Sequence, residues 1–161
     1  MQYIKDQEEE KSGNSYGDGM LLPQVRFVRC PIKTSLGVLG KKWTMLIIRD
    51  IGFLKIRRFN RILESIPGLT PRVLSMRLKE LEREGIIKCK EVRKDQVMIL
   101  WSLTEKGEDI LPILLLLTAF GSKWYPELVF EDKKPRRLDE VFFQPETRQR
   151  ILEYNKRFRL R

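Results

Sequence analysis

A mainly α fold carrying one small β-hairpin is what this sequence predicts, on three observations. The first is a helix with both ends marked inside residues 69–92, LTPRVLSMRLKELEREGIIKCKEV. Thr70 is a good N-cap, Pro71 sits in the first turn where its missing N–H costs nothing, and Gly85 is placed for a left-handed C-cap. The second is the pair of β-prone runs 86–92 and 97–103 around Arg93-Lys94-Asp95-Gln96, which reads as a hairpin with a basic tip. The third is an amphipathic helix over residues 57–66 that reaches the capped helix through Pro67-Gly68. Two helices about a four-residue turn, followed at once by a basic hairpin, outline a winged helix-turn-helix.

Each element follows from its pattern. Residues 1–24 carry two lysines and five acidic side chains, with a polar, Gly-rich second half, and read as a flexible acidic arm. Cys30-Pro31 opens a short helix over 32–39 that Gly40 ends. Residues 41–51 follow as an amphipathic helix with Trp43, Leu46, Ile47 and Ile51 on one side. Lys41 and Lys42 at its start either reach a phosphate or are simply solvated. In the third helix Phe59, Ile62, Leu63 and Ile66 point inward, and Arg57, Arg58, Asn60 and Arg61 point outward. The capped helix packs through Val73, Leu74, Leu78 and Leu81 and presents Arg72, Ser75, Met76, Lys79 and Arg83 on its opposite face.

After the hairpin, Thr104 caps a long helix over 105–125 in which Pro112 predicts a kink or a break. Its middle, Ile110 to Leu117, is apolar on every side, which a monomer's surface helix does not tolerate. A dimer is therefore expected, with Leu111, Leu114, Leu115, Leu117, Phe120 and Trp124 at the interface. Residues 126–161 form a basic extension with a helix over 146–158, placed either to cover the dimer seam or to touch DNA backbone.

The formal charge of +10 is uneven: residues 25–125 hold 20 basic and 10 acidic side chains. A basic central domain favours a polyanion, nucleic acid first and an anionic membrane surface second. No signal peptide opens the chain and its longest apolar run is about half a bilayer span, so a cytoplasmic protein without membrane contact is expected. There is no histidine, and two cysteines far apart make neither a disulfide framework nor a metal site. Without paired carboxylates in a catalytic setting or a phosphate loop, an enzyme is the poorest reading, and no cofactor is expected.

Several separated blocks, in order, resemble the HxlR-type winged helix-turn-helix transcriptional regulators, which are related to MarR-like regulators. They are Cys30-Pro31, Gly40-Lys41-Lys42-Trp43, Arg58-Phe59-Asn60, Pro67-Gly68-Leu69-Thr70, Leu78-Lys79-Glu80-Leu81-Glu82 with Gly85-Ile86-Ile87, and Ser102-Leu103-Thr104-Glu105-Lys106-Gly107. The resemblance covers about residues 29–124. It implies a homodimer on pseudo-palindromic operator DNA, dimer contacts from the first and the long C-terminal helices, and a redox switch at Cys30, with an oxidant or small molecule as effector. Two features depart from the pattern. The wing tip lacks the family's prolines and its second strand lacks an early arginine, and the tail beyond Trp124 is longer than the family core.

The expected division of labour on double-stranded DNA follows from what each contact can read. Phosphate contacts position, and base-edge contacts specify. Thr70, Pro71, Arg72, Ser75, Met76, Lys79 and Arg83 are the recognition-helix candidates, with Arg72 suited to a bidentate guanine contact and Met76 to a thymine methyl. Lys41, Lys42, Arg57, Arg58 and Asn60 are backbone candidates, and Arg93 and Lys94 are the wing's. Cys30 lies just before a helix N-terminus with Arg26 and Arg29 nearby, which favours a thiolate; a buried cysteine serving as a small apolar side chain is the alternative. A dimeric interaction module of the same fold, or a nonspecific DNA-binding protein, are the competing functional readings.

Overall fold

A computed structural model describes residues 27–93 and 97–141. Helices α1 (Pro31–Leu39), α2 (Thr44–Gly52), α3 (Phe59–Ser65) and α4 (Pro71–Arg83) precede strands β1 (Ile87–Arg93) and β2 (Val97–Leu103). Among the described residues four further helices follow: α5 (Glu105–Glu108), α6 (Leu111–Trp124), α7 (Pro126–Val129) and α8 (Leu138–Val141). The strands pair antiparallel from Ile87 opposite Leu103 to Arg93 opposite Val97. The predicted mainly helical winged helix-turn-helix is the fold observed.

The core is almost entirely Ile and Leu. Ile47, Ile48 and Ile51 of α2 meet Ile62 and Ile66 around α3, Leu74, Leu78 and Leu81 of α4, Ile86 and Ile87 at the hairpin entry, and Ile110, Leu111 and Leu114 at the start of α6. Each such side chain contributes roughly 1.5–3 kcal/mol when fully buried. Helix α2 is thus the axle on which the helix-turn-helix, the hairpin and α6 turn. One carboxylate enters this core: Asp50 is fully buried, accepts Nε and Nη2 of Arg49 at 2.8 and 2.6 Å, and accepts the Ser65 hydroxyl of α3.

Two predicted helices begin later than their patterns suggest. Trp43 adopts a left-handed backbone with φ 76°, so Lys41 and Lys42 lie in the turn before α2 rather than in its first turn. Arg57 is kept out of α3 because its carbonyl accepts the Trp101 N–H at 2.9 Å, making the 55–58 segment a neighbour of β2. Its backbone is committed to the wing.

The single long helix expected over 105–125 is two helices. Thr104 does cap, accepting the Gly107 N–H at 3.2 Å, but α5 stops at Glu108. Pro112 sits in the first turn of α6, where its lack of an N–H is harmless; a continuous helix would have required it to bond Glu108. Leu111, Leu114 and Leu115, assigned to a dimer interface, are instead buried in the chain itself, with Leu111 and Leu114 in the core cluster. An unbroken apolar run carries no periodicity to say which side turns inward. Leu117, Phe120 and Trp124 remain on the exposed side with Ile113 and Leu116.

Beyond α6 the chain folds back on it: the Arg136 N–H reaches the Ser122 carbonyl at 3.3 Å, and the Arg136 guanidinium binds both oxygens of Asp132 and covers the Phe130 ring. The helix expected over 146–158 lies outside the described residues. Among the described residues no helix is long and apolar enough to cross a membrane, and no cluster of three metal-ligating side chains occurs.

Candidate nucleic-acid interface

The recognition helix is held at both ends and from behind. At its start, Thr70 accepts the Val73 N–H at 3.4 Å and Pro71 occupies the first turn. At its end, Gly85 takes φ 68° while the Gly85 N–H bonds Glu82 and the Ile86 N–H bonds Leu81, both at 2.9 Å. Those two bonds form a Schellman motif, which satisfies carbonyls the helix leaves open. Gly68 supplies the positive φ of 82° that the preceding turn requires, and a Cβ there would meet the Trp43 ring at 3.5 Å. The indole therefore braces the turn that sets the angle between α3 and α4.

A polar clamp holds the middle of the helix. Arg77 donates Nη1 to Glu80 at 2.6 Å and Nε to the Lys42 carbonyl at 3.2 Å, while Lys41 Nζ reaches the other Glu80 oxygen at 3.2 Å. The Arg77 hydrogen bond is the main reason the Glu80 carboxyl titrates below its ordinary value. Neither Arg77 nor Glu80 was singled out from the sequence; their i,i+3 spacing was the signal, but their partners 35 to 39 residues away were not legible. The wing is stitched to the same helix end. Thr104 Oγ1 donates to the Gly85 carbonyl at 2.6 Å, the Thr104 N–H reaches the Ile86 carbonyl at 3.0 Å, and Lys106 Nζ reaches the Glu84 carbonyl at 2.7 Å. Gly107 permits this approach, since a Cβ would lie 2.1 Å from the Ile86 oxygen.

What remains outward is a rigidly mounted basic face. Thr70, Pro71, Arg72, Lys79 and Arg83 are exposed, Met76 is 44% exposed and Ser75 is half-buried. Among the described residues Arg72 and Lys79 make no ion pair, whereas Arg83 stands 4.0 Å from Glu84. Of the backbone candidates, Arg57, Arg58 and Asn60 are exposed around the start of α3. Lys42 lies over the Trp43 ring at 4.6 Å, and Lys41 is engaged by Glu80. Arg93 closes β1 opposite Val97, and Lys94 lies outside the described residues.

Residues 38–129, more than half of the chain, match the family described as HxlR-like helix-turn-helix. The chain belongs to the HxlR family. Its relatives include the uncharacterized HTH-type transcriptional regulator YvaP of Bacillus subtilis, 38% identical over 96 residues, covering 59% of this chain and 88% of YvaP. A Synechocystis HTH-type regulator is 34% identical over 95 residues, covering 59% of this chain and 70% of its own. Among solved structures, the reduced form of the B. subtilis transcriptional regulator YodB is 30% identical with a TM-score of 0.52, covering 60% of this chain and 95% of YodB. The redox regulator HypR in its oxidized form is 31% identical with a TM-score of 0.52, covering 57% of this chain and 94% of HypR. This HxlR protein is a transcriptional regulator with a helix-turn-helix DNA-binding fold, and its relatives are transcriptional regulators rather than enzymes.

Both cysteines of this HxlR protein are free and exposed. Within the single chain Cys30 is not a buried side chain: it stands at the N-cap of α1, its carbonyl accepting the Thr34 N–H at 3.0 Å and its thiol exposed. Cys89 lies on β1, where a hydrogen bond with Glu82 raises its thiol above the ordinary value.

Proposed function

We propose that this HxlR protein is a homodimeric, sequence-specific regulator of transcription that binds pseudo-palindromic operator DNA in the cytoplasm and changes its operator affinity when Cys30 is oxidised. The observation that carries the DNA reading is the face of α4 bearing Arg72, Met76 and Lys79: exposed, without an ion pair at its cations among the described residues, and held by caps, clamp and wing. A side chain on a fixed backbone loses little freedom when it meets a base edge, and Arg72 reading guanine is worth about 1–3 kcal/mol of discrimination. Arg57, Arg58, Asn60 and Lys42 set the register through phosphates, with Arg93 and Lys94 carrying the wing's contribution.

The dimer reading rests on apolar surface that water should not meet. Leu116 is 70% exposed, Phe120 54% and Trp124 60%, and α1 buries none of its residues although Ile32 and Leu36 are large and apolar. Two copies that bury these faces place two α4 helices on one duplex. The redox reading rests on exposure of the Cys30 thiol and on the solved relatives named for reduced and oxidized states. At neutral pH Cys89, with its raised pKa, carries less thiolate than an ordinary cysteine and is the poorer nucleophile.

Selection of bound duplexes from a random pool at about physiological salt tests the DNA reading. An enriched inverted repeat with half-sites about one helical turn apart, or a multiple of it, is expected. Enrichment of no motif, with binding that only fades as salt rises, would reject it in favour of nonspecific binding. Diamide should then alter affinity for that operator in wild-type protein and leave Cys30→Ser unchanged; an equal response of both would reject the switch.

A further inference from the structure

The positive surface of this chain does not end at the recognition helix. A groove of about 620 Å³ opens between α3 and β2, and Lys55, Arg57, Arg58 and Arg61 line it over a floor that includes Ile56 and Leu100. Its size is that of a small-molecule site. Among the described residues Glu64 is the one acidic side chain in the lining, and Arg61 binds it at 2.9 Å, so Glu64 neutralises neither Arg57 nor Arg58. Among the described residues Arg57 and Arg58 have no carboxylate partner. Cations gathered within one Debye length repel one another, and a concave wall focuses their field; an anion relieves both effects.

The groove is also built in advance of any ligand. Arg57 is pinned by its backbone bond to Trp101, and the Arg58 carbonyl accepts the Ile62 N–H at 3.0 Å. Ser65 in the wall gives its hydrogen to the buried Asp50, whose other oxygen holds Arg49. That network neutralises Arg49 behind the wall, and Arg57 and Arg58 remain the lining guanidiniums without a carboxylate partner among the described residues. None of the outward residues of α4 takes part in the lining. A ligand here is recognised without the base-reading face.

We infer that this groove is a phosphate-binding site. Guanidinium forks on a fixed backbone suit a tetrahedral oxyanion, and the volume exceeds a single phosphate, which fits a diphosphate group or successive groups along a strand. A free phosphorylated small molecule and the DNA backbone carry that same chemistry, and experiment separates them. For the DNA backbone the inference rests on the phosphate contacts proposed above for Arg57 and Arg58, whereas a free ligand needs no duplex.

The full chain should be titrated calorimetrically with inorganic pyrophosphate at matched ionic strength. The double variant Arg58→Gln/Arg61→Gln and the distant variant Lys133→Gln/Lys134→Gln, which loses the same charge at exposed positions, serve as the comparison. Saturable binding to wild type, weakened roughly tenfold or more in the groove variant and unchanged in the distant one, establishes a site for a free phosphorylated ligand. Absence of pyrophosphate binding, with a salt slope for duplex binding lowered by about 1–2 only in the groove variant, assigns the site to DNA phosphates. Equal behaviour of all three proteins in both assays overturns the inference. Pyrophosphate binding in a protein that binds no duplex leaves the site standing and removes the operator reading instead. Circular dichroism of the variants checks that both exposed substitutions leave the fold intact.

Discussion

Helices α4 and α6 are of nearly equal length and both contribute leucines to the same core, yet they treat water in opposite ways. On α4 the inward Leu74, Leu78 and Leu81 are balanced by an outward face of Arg72, Lys79 and Arg83. On α6 the inward Leu111, Leu114 and Leu115 are backed by an outward face of Leu116, Leu117 and Phe120. The first helix is complete as a surface element and offers charge to a hydrated polyanion. The second leaves contiguous apolar area in water, which a second protein surface would relieve. One core thus supports two faces of opposite chemistry, one basic and one apolar.

The largest test of this comparison strikes what the two helices share. Leu78→Ala should lower unfolding free energy by about 2–5 kcal/mol in urea titrations, because Leu78 is wholly enclosed and its neighbours cannot collapse fully. A loss under 1 kcal/mol would mean that α4 is not anchored as described. Next come the outward faces. Arg72→Ala should weaken operator binding by about 1–3 kcal/mol and relax preference at one base pair per half-site, with the oligomeric state unaltered in sedimentation. Leu116→Glu with Phe120→Glu should do the converse: sedimentation should show monomers, with the secondary structure retained. If the charged pair left a dimer intact, the apolar face of α6 would have another purpose.

The smallest effect sharpens the account of how α4 is held. Glu80→Gln should cost about 0.5–1 kcal/mol at neutral pH, the scale of a partly exposed ion-pair cluster. Because the Arg77 bond lowers the folded Glu80 pKa, this stabilisation is complete above the unfolded glutamate value of about 4.3. It disappears as pH falls through the lower folded value. Wild type and Glu80→Gln should therefore converge in stability in acid; a difference that persisted below that window would remove the charge of Glu80 as its cause.

Much of the recognition helix was legible because its determinants are local. Thr70, Pro71 and Gly85 act on backbone groups within four residues, so sequence position alone assigns them their places. The break near Pro112 was legible for the same reason. The candidate site is legible as an outward face and illegible as a clamp: the sequence leaves Lys41 either a phosphate ligand or a solvated charge, and only the approach of the α1–α2 turn to α4 gives it to Glu80. Helix α2 starts three residues later than its apolar pattern indicates, since nothing local announces that Trp43 adopts a left-handed backbone to brace Gly68.

Short-range pattern in the sequence settles the succession of elements from α1 to β2, the caps, the amphipathic face of α4 and the basic balance of the central domain. These depend on backbone propensities and on helical spacing, both readable within a few residues. Only the tertiary structure decided which leucines of the apolar run enter the core, and which cations are engaged by carboxylates. It also gathered Lys55, Arg57, Arg58 and Arg61 beside Leu100 in one groove. Those outcomes depend on contacts between segments tens of residues apart, and a uniformly apolar or uniformly basic stretch carries no periodic mark from which they could be read.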